Sequence, residues 1–348
     1  MGKSRKILHM DMDYFFAQIE ERENPQFKGN PLVVGADPKK GKGRGVVSTC
    51  NYEARKYGIK SGMPISRSYK LAPEAIFLPV NMSLYKKVSD SVFRVASKIS
   101  PEMEKVSLDE AYIDITKKVK NYREAEGVGK KLKREILKKE KLTCSIGVSK
   151  NKMMAKIACE LAKPDGIKVV PPGQVTGVID GMDLETVPGI GPKTKKLLKE
   201  VLKKENPKIK DALSLSKEEL MDLLGKRGGE FYHKFRGIDD SSVVEKRKAK
   251  SIGKEHTFQK DTRDSKEIIK VFKSLVGDVY RQAKDKRVKG ITVVCRYEDF
   301  ETHTKQISFE TRMRSKELFY KKSVPLLLKF LMQSNKKLRL IGFRVMIK

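Results

Sequence analysis

The chain has no tryptophan and only four cysteines, Cys50, Cys144, Cys159 and Cys295. They lie far apart, with no Cys-x-x-Cys pair and no Cys/His ligand spacing. That excludes structural zinc of the usual kinds and a disulfide framework, and a reducing cytoplasm is the expected compartment. No signal peptide is evident and no apolar run approaches the ~18 residues of a membrane span, so a soluble protein is expected. Acidic residues are also in short supply. Against 76 Lys+Arg stand 44 Asp+Glu, a net charge of +32 over 348 residues. From Ser241 to Lys348 there are 28 basic and 12 acidic residues, so +16, half the excess, sits in under a third of the length. Such a field points to a polyanionic partner, most naturally nucleic acid; a lysine-rich surface kept for solubility is the alternative.

In a chain so short of acid, carboxylates that stand together are informative. Around Ser107-Leu108-Asp109-Glu110-Ala111-Tyr112-Ile113-Asp114, apolar residues fall on even positions before the acidic pair (Val106, Leu108). After it they fall on odd ones (Ala111, Ile113, Ile115). Each half alternates like a strand with one buried face, and the change of phase predicts a reversal or bulge at Asp109-Glu110. Adjacent carboxylates at a hairpin tip repel unless a cation neutralises them, and oxygen ligands suit Mg²⁺ or Mn²⁺. The competing reading is an acidic turn left in water. Further upstream, Lys6 to Met12 reads as a short buried strand and Asp13 to Glu21 as a helix with Asp13 as its N-cap. Asp11 then lies at a strand's C-terminal end, where side chains converge on ligands in α/β folds. With a capping role of its own, Asp13 is not counted as a metal ligand.

Residues 24–80 are rich in Gly/Pro turns, with Lys39 to Gly45 reading as a flexible basic hairpin tip. Gly45 to Asn51 is strand-like, and Tyr52 to Gly58 a short helix closed by glycine. Tyr52 and Arg55 share a face of that helix, either solvated or meeting a phosphate chain. Helical periodicity covers 83–100 and 122–139, and Leu142, Cys144, Ile146 and Val148 alternate as a strand. Asn151 to Lys163 reads as a helix burying Met153, Met154, Ile157 and Leu161, with Lys152 and Lys156 on its opposite face. The order predicts a mixed α/β sheet with helices on one side, close to a ferredoxin-like plan.

After a short strand at 167–170 comes a small helical region. There Val187-Pro188-Gly189-Ile190-Gly191-Pro192-Lys193-Thr194 puts a tight glycine hairpin directly before a basic helix. Free N–H groups at such a helix start bind phosphate without reading a base, and the pattern resembles a helix-hairpin-helix. Ser241 to Lys250 reads as a solvated, extended basic linker. Beyond it, strands at 251–258, 291–296, 306–311 and 339–347 with helices at 265–284 and 315–334 predict a second α/β domain. It is strongly basic and carries no catalytic-looking cluster.

The ordered set His9-Met10-Asp11-Met12-Asp13-Tyr14-Phe15-Phe16, Asn51-Tyr52-Glu53-Ala54-Arg55, Ser107-Leu108-Asp109-Glu110-Ala111-Tyr112, Ser149-Lys150-Asn151-Lys152 with Lys156, and Pro188-Gly189-Ile190-Gly191 closely resembles a Y-family (translesion) DNA polymerase of the DinB type. The likeness spans nearly the whole chain, and the archaeal branch looks closest. It implies a palm (1–23 and 78–166), fingers (24–77), a helix-hairpin-helix thumb (167–240) and a little-finger DNA-binding domain with its linker (241–348). Asp11, Asp109 and Glu110, with the Met12 carbonyl, would hold two Mg²⁺ ions that promote nucleotidyl transfer; Mn²⁺ would substitute. Phe15, Phe16, Thr49, Tyr52, Arg55 and Lys156 would meet the incoming deoxynucleoside triphosphate, Phe16 as the steric gate against a 2′-hydroxyl. Gly45, Val46 and Ser48 would lie over the nascent base pair. Gly189, Gly191, Lys193 and Thr194 would hold primer–template DNA.

The same resemblance implies a low-fidelity, monomeric, lesion-bypassing enzyme of the nucleoid, with no stretch left for a proofreading exonuclease. A sliding clamp is an expected partner, although no clamp-binding motif follows Arg344-Val345-Met346-Ile347-Lys348. Two other readings stand beside it, a non-catalytic DNA-binding scaffold and a palm-type nucleotide cyclase. The three carboxylates argue against the first. The glycine hairpin and the basic C-terminal domain argue against the second.

Overall fold

The computed structural model describes residues 5–245, 249–312 and 315–348. The chain begins with β1 (Ile7–Met12), α1 (Phe15–Glu23), β2 (Leu32–Gly35), β3 (Val47–Cys50), α2 (Tyr52–Lys56), α3 (Ile65–Leu71) and β4 (Ile76–Pro79). It continues through α4 (Met82–Ser97), β5 (Met103–Lys105), β6 (Glu110–Asp114), α5 (Tyr122–Glu140), β7 (Cys144–Ser149), α6 (Lys152–Ala162) and β8 (Ile167–Val170). The helices α7 (Val175–Ile179), α8 (Pro192–Leu202), α9 (Ile209–Ala212), α10 (Lys217–Leu224) and α11 (Lys226–Phe235) follow. Last come β9 (Ser251–Thr262), α12 (Ser265–Ala283), β10 (Arg287–Tyr297), β11 (Thr302–Arg312), α13 (Lys316–Gln333) and β12 (Leu338–Ile347). These elements form two compact units, Met1–Lys246 and Arg247–Lys348.

A five-stranded sheet in the order β5-β6-β1-β7-β8 centres the first unit. The period of two in β1 decides what each face does. Leu8, Met10 and Met12 enter a core with Val88 and Val92 of α4 and Leu132 and Ile136 of α5, each fully buried apolar side chain contributing ~1.5–3 kcal/mol. The alternate residues Ile7, His9 and Asp11 look the other way, toward α6. Register sets His9 against Tyr112 and Gly147, and Asp11 against Glu110 and Ser145.

Helices therefore cover both faces of this sheet rather than one. Burial on two sides explains why: Met153, Met154 and Ile157 of α6 serve the helical cluster of Val175, Ile179, Leu198 and Phe231, while Ala155 packs on Ile7 and Tyr112. The approach is close, since a Cβ at Gly147 would fall 2.0 Å from the Ala155 carbonyl oxygen. Lys152, expected on the face opposite the apolar one, is buried against Glu104 at 2.8 Å. Leu161, expected in the core, is 50% exposed.

Other expectations shift locally. Val106 and Leu108 belong to the loop between β5 and β6, so the phase change marks a turn rather than two long strands. Lys39 to Gly41 form a 3-10 turn closed by Gly43 N–H on the Pro38 carbonyl at 2.8 Å. Ser241 to Glu245 are largely exposed, as expected, but tied down: Arg5 donates to the Ser241 carbonyl, Lys152 to that of Ser242, and the Val244 N–H to Glu104. The buried Glu104–Lys152 pair gives this polar backbone partners that bulk water would otherwise supply. The charge run Lys246, Arg247 and Lys248 lies outside the described residues.

A three-stranded sheet, β3-β2-β4, carries α2 and α3. In the second unit a four-stranded sheet, β11-β10-β12-β9, packs α12 and α13 on one face around Phe258, Phe272, Phe319 and Phe343. All four cysteines are free and buried. Among the described residues no helix is long and apolar enough to cross a membrane.

Candidate active site

The end of β1 and the β5–β6 loop are stitched together by the backbone. Met12 N–H donates to the Asp109 carbonyl at 3.0 Å, and Asp11 stands directly across the ladder from Glu110. Paired residues of an antiparallel ladder point to the same face, so these two carboxylates are neighbours by register. Ser107 shapes the loop: its hydroxyl donates to the Asp109 carboxylate and accepts from Glu110 N–H at 3.2 Å. The ends of β1 and β6 that carry these acids meet because β6 pairs with β1, burying Ala111 and Ile113.

Each acid has its own partner. Asp11 is ion-paired with Lys163 at 3.0 Å, yet burial outweighs that attraction and lifts its carboxyl to about 6. Glu110 is held down to about 2, with His9, whose ring lies 3.5 Å away, the largest cause and Lys156 adding to it. His9 is fully buried, 3.5 Å from Glu110, and burial lowers its own pKa. Among the described residues no three of His, Cys, Asp and Glu are gathered as a ready metal cluster. The reason is local, because Glu110 is drawn onto Lys156 and Asp109 onto Ser107. The donor set still fits a hard divalent cation: all ligating atoms are oxygen, and Asp11 and Asp109 line one cleft.

That cleft, about 280 Å³, brings Asp11, Met12 and Asp109 together with Phe15, Phe16, Thr49, Tyr52 and Arg55. Arg55 lies over the Tyr52 ring at 4.8 Å, as the shared helix face predicted. Asn51 caps α2 by accepting from Ala54 N–H, which fixes where both side chains start. Phe16 stacks on Tyr85 with ring centroids 4.3 Å apart. Phe15 is 2% exposed and sits largely in the core beneath the cleft.

Glu110 and Lys156, expected here, are not among the lining residues; Lys156 spends its charge on Glu110. The lysine among the lining residues is Lys163, one residue past the end of α6. Sequence reasoning missed it, although the seven-residue step from Lys156 keeps both lysines on the sheet-facing side of α6. Asp13 is also displaced from its expected role. The N-cap position of α1 is taken by Tyr14, at φ 32°, with no side-chain cap. The Asp13 carboxylate is instead buried among hydroxyls of β7 and its flank.

Away from the cleft, Gly189 adopts φ 101°, a backbone state glycine alone enters freely, and Gly191 precedes Pro192 at the start of α8. Arg227 and Lys234 donate to the carbonyls of Gly189 and Pro188, fixing the hairpin with Lys193 exposed beside it. Only a single 3-10 turn, Leu184–Thr186, stands before it.

Residues 10–160 match the model of the impB/mucB/samB family, and residues 249–346 that of its C-terminal domain. A relative named DNA polymerase IV in Methanoculleus marisnigri is 40% identical over 98% of this chain and 94% of its own. DNA polymerase IV of Clostridium perfringens is 40% identical over 99% and 95%. Among solved structures, the Y-family DNA polymerase chimera Dbh-Dpo4(243-245)-Dbh superposes with a TM-score of 0.89 at 35% identity, covering 98% of both chains. An insertion ternary complex of Dbh DNA polymerase gives 0.67 at 34% identity, again over 98% of both chains. Such a fold implies dependence on a divalent metal. The chain thus belongs to the impB/mucB/samB family, as a DNA-directed DNA polymerase of the Y-family, DinB type.

Proposed function

We propose that this polymerase copies damaged templates with low fidelity and without proofreading, adding deoxynucleotides to a DNA primer. The observation that carries the reading is the register of Asp11 against Glu110, with Asp109 in the same cleft as Tyr52, Arg55 and Lys163. Asp11, Asp109, Glu110 and the Met12 carbonyl would hold two Mg²⁺ ions. When bound, these ions supply activation of the primer hydroxyl and charge stabilisation at the leaving pyrophosphate. The chain's own residues do the rest. Lys163, Arg55 and the Tyr52 and Thr49 hydroxyls offer cations and donors to a triphosphate. Glu110 must leave Lys156 to join the other two acids. Phe16, held by Tyr85, occupies the space that a ribose 2′-hydroxyl would need.

Small residues on the strand side, Ser48 in the cleft and Gly45 and Val46 just before β3, suit a site that grips the base pair loosely and so discriminates little beyond pairing itself. The residues up to 166 would be palm (1–23, 78–166) and fingers (24–77), those at 167–240 the thumb, and those at 241–348 the little finger. Lysines of the thumb hairpin and the basic second unit would grip duplex phosphates. Primer extension with Mg²⁺ and deoxynucleotides, on an intact template and across an abasic site, tests the proposal. Asp109→Asn should lose ~10³-fold or more in rate while primer–template affinity is unchanged. Normal turnover by that variant would remove the acidic hairpin from the mechanism.

A further inference from the structure

Asp13 is a buried carboxylate that the chemistry above leaves without a task. It lines the cleft two residues beyond Asp11 and is 1% exposed. Donors meet it from separate elements. Its Oδ2 accepts from the Thr143 hydroxyl at 2.9 Å and from the Asp165 N–H at 3.1 Å. Its Oδ1 accepts from the Ser145 hydroxyl at 2.8 Å and lies 3.5 Å from the Tyr52 hydroxyl. Gln18 reinforces the same tie, donating to the Asp13 carbonyl at 2.6 Å and accepting from Thr143 N–H. A carboxylate has about four lone-pair positions, and these four donors match them.

What the four donors belong to is the telling point. Tyr52 begins α2, which also carries Arg55. Asp165 follows Lys163 by two residues, in the turn between α6 and β8. Ser145 belongs to β7, beside β1, where it is the register partner of Asp11, and Thr143 comes just before that strand. The turn out of β1 is not one that local preference selects, because Tyr14 sits in the left-handed region at φ 32°. A fixed anchor is needed to hold it, and Asp13 supplies one.

We infer that Asp13 is a positioning residue for the incoming nucleotide, holding Tyr52 and the Lys163 turn at a set spacing around Asp11. The inference rests on the triphosphate reading of the cleft given above. It predicts a loss confined to nucleotide binding. In Asp13→Asn the charge is gone and an –NH2 replaces an oxygen that accepted from two donors; hydroxyls can turn to accept, so the net loss is about one hydrogen bond and the tie to Tyr52 or Asp165 slackens.

Single-nucleotide incorporation by the full chain on a primer–template tests this. The apparent dissociation constant of the deoxynucleotide should rise about tenfold in Asp13→Asn, the size expected for one such bond. The maximal rate should change far less, and primer–template affinity by fluorescence anisotropy should not move. Thr143→Val removes one donor yet keeps the carboxylate, and should shift the same constant by a smaller factor; if Asp13→Asn does not fold, this variant decides alone. An unchanged nucleotide constant, or a parallel fall of nucleotide affinity, maximal rate and DNA affinity, overturns the inference. An inactive Asp109→Asn beside unchanged Asp13 and Thr143 variants sinks only this inference, whereas an active Asp109→Asn sinks the reading beneath it.

Discussion

The Lys163 ammonium stands 3.0 Å from the Asp11 carboxylate, the one cation among the lining residues paired with an acid that lines the same cleft. Burial works against the Lys163 charge, but Asp11 and Glu160 outweigh it and raise its pKa. Lys156, two helical turns earlier, is committed to Glu110. Lys163→Met should therefore weaken deoxynucleotide binding by about tenfold or more. Lys156→Met should act chiefly on the maximal rate, by unseating Glu110. Pre-steady-state incorporation separates the two constants, and the opposite ranking would return Lys156 to the phosphates.

Asp11 ties stability to pH. Its folded pKa of about 6 exceeds the ~3.9 expected in the unfolded chain. The folded state thus binds this proton more tightly. Its contribution favours folding below about pH 4 and is withdrawn as pH rises through about 6. Asp11→Asn keeps the neutral shape at every pH, so it should match the parent near pH ~4 and exceed it near pH ~8, by roughly 3 kcal/mol at most. Urea unfolding in the presence of a chelator measures both points. A variant no more stable at the higher pH would show that burial of this acid costs nothing.

Phe16 is braced rather than free. Its ring stacks on Tyr85, whose hydroxyl donates to Glu20 at 2.5 Å. Phe16→Ala should raise ribonucleotide incorporation on the order of a hundredfold, the equivalent of ~3 kcal/mol of relieved overlap. Tyr85→Ala leaves the Phe16 ring in place but unsupported and, if that ring is the gate, should relax sugar selectivity by a smaller factor. Competition between matched ribo- and deoxynucleotides gives the ratio. Unchanged selectivity in Phe16→Ala would refute the gate assignment.

Lys193 is exposed beside the glycine hairpin at the start of α8. If it neutralises one phosphate, Lys193→Ala should weaken primer–template binding alike for all sequences. It should also reduce the slope of log affinity against log salt by about 1. A titration over several salt concentrations checks this. An unaltered slope would place the DNA elsewhere on this unit.

Much of this was legible in the chain. Leu8, Met10 and Met12 alternate cleanly, so β1 and the position of Asp11 at its end follow from pattern alone. What escaped was decided by partners far away in sequence. Asp13 stands just before an apolar helix, where an N-cap belongs, but Thr143, Ser145 and Asp165 claim its carboxylate, and no local signal announces them. Lys152 and Lys156 read only as sharing the face opposite the apolar one, because a single helix cannot reveal Glu104 and Glu110 on the sheet beneath. Lys163 reads as the end of that helix but with no task, because its partner Asp11 lies on a strand distant in sequence. The segment at 241–245 looked like a free tether by composition, since its hold on the sheet runs through backbone atoms, which sequence does not encode.

Gly147 gives this arrangement its tolerance. Because the residue opposite His9 has no side chain, α6 settles directly onto the sheet, and two ammonium groups on its underside come within reach of the acids at the strand ends. Any larger residue there would lever the helix outward and leave both lysines short of their carboxylates. The electrostatic balance around these acids is thus metered by a single hydrogen atom on a neighbouring strand, two residues along from the partner of Asp11.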